Sequence, residues 1–161
     1  MTFETDIFSL FDKKWALLCA GTPEDHNSMT ISWGALGTLW GAPCATVYVR
    51  FSRHTFGFMN DNEYFTVSFY PEKYRKALAL MGSRSGRDIN KDEAAGLTPE
   101  ALENGVTYKE AEVTLVCRKR YAQDMDPAAV PPEVMKENYA DGDLHRIYIG
   151  EVVDILRKTE K

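Results

Sequence analysis

Apolar residues recur at every second position over several stretches of the chain, the spacing that turns one face of a β-strand toward a core and the other toward water. Between positions 45 and 50 this puts Ala45, Val47 and Val49 on one face and Thr46, Tyr48 and Arg50 on the other. The same period sets Phe65, Val67 and Phe69 against Thr66, Ser68 and Tyr70, and Val113, Leu115 and Cys117 against Thr114, Val116 and Arg118. Residues 15–20 form a continuous apolar run closed by Gly21, Thr22 and Pro23, which predicts a buried strand followed by a turn. Residues 29–33 are a further candidate strand, and a last strand is expected over 145–156.

Helical spacing appears after Pro71, where Tyr74, Ala77, Leu78 and Met81 fall at i, i+3, i+4 and i+7. That helix should end near Gly82. A shorter helix is expected over 56–60, with Thr55 accepting the free N–H groups of its first turn. Residues 126–132 form a Pro- and Ala-rich loop leading into a helical turn through Val134 and Met135. No repeat, low-complexity tract or linker-like shift divides the chain, so residues 1–161 read as one domain. Many short strands with few helices make the fold mainly β, an antiparallel barrel closed in full or in part.

Composition narrows the partners. With 44% hydrophobic and 12% aromatic residues in 161, the chain can bury a core without a disulfide or metal staple. A net charge of -5 disfavours nucleic acid and anionic membrane as partners. The apolar runs fall far short of the roughly 20 residues a membrane span needs. The first residues carry carboxylates and lack the basic and apolar regions of a signal peptide, so a cytoplasmic location is expected. Cys19, Cys44 and Cys117 lie far apart with no paired spacing, which signals neither a disulfide framework nor a metal cluster. They read as core residues in a reducing compartment.

Charge distribution changes the picture further. The 35 residues between Asp25 and Asp61 hold no Asp or Glu, where proportion would place about five, and they include His26, Arg50, Arg53 and His54. Within them Arg50, Ser52, Arg53 and Thr55 lie where a strand delivers the chain to the start of the short helix. Guanidinium forks, hydroxyls and free helix N–H groups are the parts of a phosphate cradle. The alternative is a capped helix flanked by solvated arginines. A second cluster runs through Asn27, Ser28, Met29, Thr30, Ile31, Ser32, Trp33 and Gly34. Small polar groups beside an aromatic suit a flat heteroaromatic ligand, and equally an ordinary turn and strand. The third runs Gly82-Ser83-Arg84-Ser85-Gly86-Arg87-Asp88-Ile89-Asn90-Lys91, either a loop that approaches an anion, which Lys91 could neutralise, or a mobile surface loop. Neither a P-loop nor a dinucleotide fingerprint occurs, and His26, His54 and His145 have no metal-ligand spacing. All three histidines read as structural or surface residues.

Taken together, Asn27-x-Met29-Thr30-x-Ser32-Trp33, Arg50-x-Ser52-Arg53-x-Thr55, Phe65-Thr66-Val67-Ser68, and Ser85-Gly86-Arg87-Asp88-x-Asn90-Lys91 with Gly96-Leu97-Thr98 resemble the flavin reductase-like family, and within it the flavoredoxin branch. The resemblance spans residues 15–154 with the motifs in the family's order. It implies an FMN-binding split β-barrel of antiparallel Greek-key topology, working as a homodimer. It further implies that Asn27, Met29, Thr30, Ile31, Ser32 and Trp33 line the flavin ring, that Arg50, Ser52, Arg53 and Thr55 hold the ribityl phosphate, and that Lys91 approaches from the third cluster. No metal is implied. NADH or NADPH would act as a transient reductant and pass electrons through FMN to a small or protein acceptor. Alternatively the chain would be an electron carrier served by a protein donor, with little pyridine-nucleotide activity of its own. The family's Gly-Asp-His pattern reads Gly142-Asp143-Leu144-His145 here, and the extra Leu144 leaves open a place for His145 beside the nicotinamide.

Overall fold

A computed structural model describes residues 4–158. The described residues form nine strands and five α-helices. They are α1 (Ile7–Asp12), β1 (Ala16–Gly21), β2 (His26–Ile31), β3 (Gly34–Leu39), β4 (Ala42–Arg50), α2 (His54–Asp61), β5 (Tyr64–Phe69), α3 (Arg75–Ser83), α4 (Lys91–Ala95), β6 (Pro99–Leu102), β7 (Gly105–Tyr108), β8 (Val113–Asp124), α5 (Pro132–Asn138) and β9 (His145–Arg157). Seven strands form one antiparallel sheet in the order β2-β1-β5-β8-β9-β4-β3, and β6 and β7 make a separate hairpin. The two ends of that order, β2 and β3, are consecutive in sequence and separated by Ser32 and Trp33. The barrel is therefore split at this seam, where β2 and β3 face each other's neighbourhood without a shared ladder.

Period-two alternation fills the barrel as the sequence predicts. Ala16, Leu18 and Ala20 of β1 join Val47 and Val49, Phe65 and Val67, Leu115 and Cys117 in one interior cluster. The intervening Leu17 and Cys19 face outward into a second cluster with Leu78 and Met81 of α3 and Val106 and Tyr108 of β7. Strand β1 is thus buried on both faces, which is why its sequence is a continuous apolar run. Emptying its centre by Leu18→Ala would cost about 2–5 kcal/mol, the range for a fully buried leucine. The three cysteines are free and buried.

Helix α3 ends beside Gly82 as its spacing requires, and the short second helix extends one to two residues beyond the expected 56–60. Its cap differs. Arg53 stands at the N-cap of α2 with no side-chain hydrogen bond to the helix, while Thr55 lies inside the first turn, buried. The expected Thr55 cap is corrected accordingly: the hydroxyl accepts a hydrogen bond from another element. Helix α1 packs the Phe11 ring on β3, where a Cβ on Gly34 would lie 2.7 Å from a ring carbon. Lys91, read as part of a loop, opens α4, which Asn90 caps by accepting the Glu93 N–H at 3.2 Å.

Candidate functional site

The carboxylate-free window folds into the neighbourhood of the seam, and the three polar clusters meet there. Asn27 of β2, Ser52 to Thr55 at the start of α2, Ser83 to Arg87 after α3, and Lys91 line one cleft of about 180 Å³. Residues 27 and 55 are joined directly, Asn27 Nδ2 donating to Thr55 Oγ1 at 2.7 Å. The chain at Gly86 comes so close to this pair that a Cβ there would lie 2.1 Å from Asn27 Oδ1. Only glycine admits that approach.

Cations dominate the cleft. Arg53 reaches across to the Gly82 carbonyl at 3.0 Å, Arg87 to the Ser52 carbonyl at 3.1 Å, and Lys91 Nζ to the Ser28 carbonyl at 2.6 Å. Lys91 is buried, and desolvation followed by repulsion from Arg53 lowers its ammonium to about 8. Desolvation, with Arg87 and Lys91 nearby, also lowers the His54 imidazole below its usual range. The first turn of α2 opens onto these groups without a side-chain cap. Unpaired N–H groups and clustered cations favour a compact anion of high charge.

A second cleft, of about 210 Å³, holds the other sequence-predicted residues. Met29, Thr30, Ile31, Ser32 and Trp33 face Tyr48, Arg50 and His145 across the seam. Gly82 links the two linings, accepting from Arg53 of the first and standing against Thr30 of the second, where a Cβ would lie 3.1 Å from the threonine side chain. Arg50 belongs to the second cleft and not the first. It donates to the Asp143 carbonyl at 2.7 Å and lies 5.1 Å from the centre of the Tyr139 ring. His145 is buried among Trp33, Tyr48 and Tyr139, with Nδ1 sharing a hydrogen with the Tyr139 hydroxyl at 2.7 Å. Burial, reinforced by Arg50, lowers its pKa to about 4, so it is neutral at pH 7.

The side chains of the β2 cluster are divided. Thr30 Oγ1 donates to the Leu78 carbonyl at 2.5 Å, and Asn27 is committed to Thr55. Because Lys91 bonds the Ser28 carbonyl and β2 ends the sheet order, the backbone of Ser28 and Thr30 turns toward the open edge. That edge offers N–H and C=O groups in the repeat that the rim of a planar heterocycle can match.

Sequence reasoning did not find Tyr48 or Tyr139, and it met Asp143 only as part of the Gly142–His145 pattern, without its contact to Ser52. Tyr48 carried a signal, as the outward aromatic of an alternating strand; Tyr139 carried none. Nor did it find the chain His26, Asp92, Tyr108, Ser28. Here His26 Nε2 meets Asp92 Oδ2 at 2.7 Å, Tyr108 donates to Asp92 Oδ1 at 2.6 Å, and Ser28 therefore donates its hydroxyl to Tyr108 at 2.6 Å. Hydrogen bonding to Asp92 raises the His26 pKa. These contacts pin α4, and Lys91 with it, against β2.

Among the described residues no helix is long and apolar enough to cross a membrane. No curated protein matches the chain. Solved structures do. The flavoredoxin from Methanosarcina acetivorans is 19% identical with a TM-score of 0.72, over 98% of this chain and 75% of that one. An FMN-binding protein from Thermus thermophilus, solved with 1-cyclohex-2-enone, is 19% identical with a TM-score of 0.71, over 98% and 79%. A protein from Shewanella frigidimarina, described as a flavin reductase with a split barrel domain, is 17% identical with a TM-score of 0.72, over 96% and 73%. These likenesses bear out the split barrel. The profile of the flavin reductase-like domain matches residues 8–161, nearly the whole chain. The chain belongs to the flavin reductase-like family of FMN-binding domains.

Proposed function

We propose that the protein binds FMN and serves as an oxidoreductase, taking electrons from NADH or NADPH and passing them to a small or protein acceptor. The observation that carries this reading is the cation-rich cleft at the start of α2, linked through Gly82 to a second cleft on the open edge of β2. The residues present fit the cofactor: Arg53, Arg87, Lys91 and the first turn of α2 suit its phosphate, and the β2 backbone and Trp33 suit its planar ring.

When bound, FMN supplies two-electron chemistry between a pyridine nucleotide and an acceptor. The chain's own part is placement. Arg53, Arg87 and Lys91 would anchor the phosphate end. The edge of β2 would orient the ring, Trp33, Tyr48 and Tyr139 would limit water at the second cleft, and neutral His145 would add no charge there. Lys91, cationic below about pH 8, would favour an anionic form of the ligand.

A homodimer belongs to the same proposal. Ile7, Phe8, Phe11 and Leu36 line an apolar groove of about 450 Å³ that continues into the second cleft through Ser32, Trp33 and Tyr48. Phe8 is 93% exposed at its rim and Trp33 46%. A second copy seated there would cover apolar surface and wall off the site.

The second reading is an FMN electron carrier served by a protein donor, with the likeness to flavoredoxin structures on its side. One experiment tests both. The protein reconstituted with FMN is mixed with NADH, NADPH or a reduced carrier protein without oxygen while flavin absorbance is followed. Bleaching by a nucleotide supports the enzyme, bleaching by the carrier alone supports the carrier, and failure to retain flavin overturns both. Sedimentation of the wild type and of Phe8→Glu tests the dimer, which the charge should dissociate.

A further inference from the structure

The hydrogen-bond donors of Ser52 are engaged by an anion of the chain itself. Ser52 donates its N–H to Asp143 Oδ1 at 3.1 Å and its hydroxyl to Asp143 Oδ2 at 2.5 Å, a two-point grip of the kind a phosphate makes. Residues on either side reinforce it. Arg50 holds the Asp143 carbonyl at 2.7 Å, and the Phe51 N–H donates to the Leu144 carbonyl at 3.2 Å. The carboxylate is brought there by a tight turn in which Gly142 has φ +75° and the Leu144 N–H donates to the Gly142 carbonyl at 3.1 Å.

The position matters because Ser52 lines the cation-rich cleft, whereas Asp143 lies outside its lining. A serine hydroxyl has one hydrogen. While that hydrogen points at Asp143, Ser52 can only accept from a ligand in the cleft, and a phosphate dianion has none to give. The carboxylate also adds a negative charge where Arg53 feels it.

We propose that Asp143 is the specificity-determining residue of this cleft, an internal carboxylate that competes with a ligand's phosphate for the Ser52 donors and so sets how tightly that phosphate is held. The inference rests on the reading of the cleft as the FMN phosphate site. Arg53, Arg87 and Lys91 supply attraction, and Asp143 subtracts from it. Its removal frees two donors and one repulsive charge, which makes the sign of the effect opposite to that of a structural residue.

The test compares FMN with riboflavin, which lacks the phosphate, by quenching of flavin fluorescence on titration with protein. Wild type is expected to bind FMN more tightly than riboflavin. Asp143→Ala, which frees both Ser52 donors and removes the charge, should tighten FMN roughly three- to tenfold; Asp143→Asn, which removes the charge but keeps an acceptor for Ser52 and so protects the fold, should tighten it by less, and neither should change riboflavin. Adding Ser52→Ala to Asp143→Ala should abolish most of that gain. Equal binding of FMN and riboflavin by the wild type, or binding of neither, overturns the parent reading of the cleft. Discrimination by the wild type with unchanged or weaker FMN binding in a folded Asp143→Asn overturns the proposal for Asp143 alone.

Discussion

Asn27 and Thr55, 28 positions apart, are joined by a 2.7 Å hydrogen bond buried between β2 and the first turn of α2. Thr55→Val keeps the shape of the side chain and strands the Asn27 amide in a dry site. It should cost about 1–3 kcal/mol, measured by urea unfolding, while Thr55→Ser costs markedly less.

Gly86→Ala should damage the same junction from the other side, since the added Cβ must displace Asn27 Oδ1 or the loop. The expected loss is about 1–3 kcal/mol of stability together with weaker FMN binding, read by unfolding and by fluorescence titration.

Arg50 and Arg53 are three residues apart but point into different clefts, so their substitutions should part company. Arg53→Ala should weaken FMN by about ten- to a hundredfold, the loss of a charge-assisted phosphate contact, and leave riboflavin untouched. Arg50→Ala should weaken FMN and riboflavin alike by disturbing Tyr139 beside the second cleft, while the Asp143 it also releases should offset part of that loss for FMN alone.

Lys91 is lowered to about 8 in the free protein, by burial and by Arg53. A phosphate dianion in the cleft favours the ammonium, so binding FMN between pH 8 and 9 should take up a proton, and affinity should fall as pH rises past about 8. Calorimetry in buffers of different ionisation enthalpy measures the uptake, which Lys91→Met should abolish.

Two histidines give stability opposite pH slopes. The Asp92 hydrogen bond raises the His26 pKa above 6.5, so its stabilisation is complete below pH 6.5 and is lost as pH rises through the raised value. Burial holds His145 near 4, so between pH 6.5 and 4 the unfolded chain binds a proton that the folded chain refuses, and stability falls with pH. Unfolding midpoints against pH should lose the neutral-side decline in His26→Gln and flatten on the acid side in His145→Gln.

Much of the barrel was legible because burial on one face writes itself as period two. Strands β4, β5 and β8 and helix α3 appeared at or near their observed positions for that reason. Strand β3 did not, since Gly34, Gly37 and Thr38 on an edge strand bury little and leave no alternation. Helix α4 was hidden for a different reason: five residues are too few to show a helical period, and its Lys91 is buried by tertiary packing that no local pattern announces. At the site, the dearth of carboxylates revealed where the cations gather. It could not reveal that Asp143, 91 positions from Ser52, comes back to occupy its donors. Nor could it separate Arg50 from Arg53, because the turn between them decides which cleft each enters.

The seam between β2 and β3 has a mechanical consequence. Among the described residues, adjacent strands of the main sheet are tied by hydrogen-bond ladders, and separating any such pair means breaking them. Across the seam, β2 can shift against β3 without the loss of a single ladder bond. The barrel is therefore stiff around most of its girth and compliant along one line, and that line is the one on which Trp33 and His145 stand. Guests of different thickness can be admitted there while the Asn27–Thr55 tie keeps the phosphate end fixed.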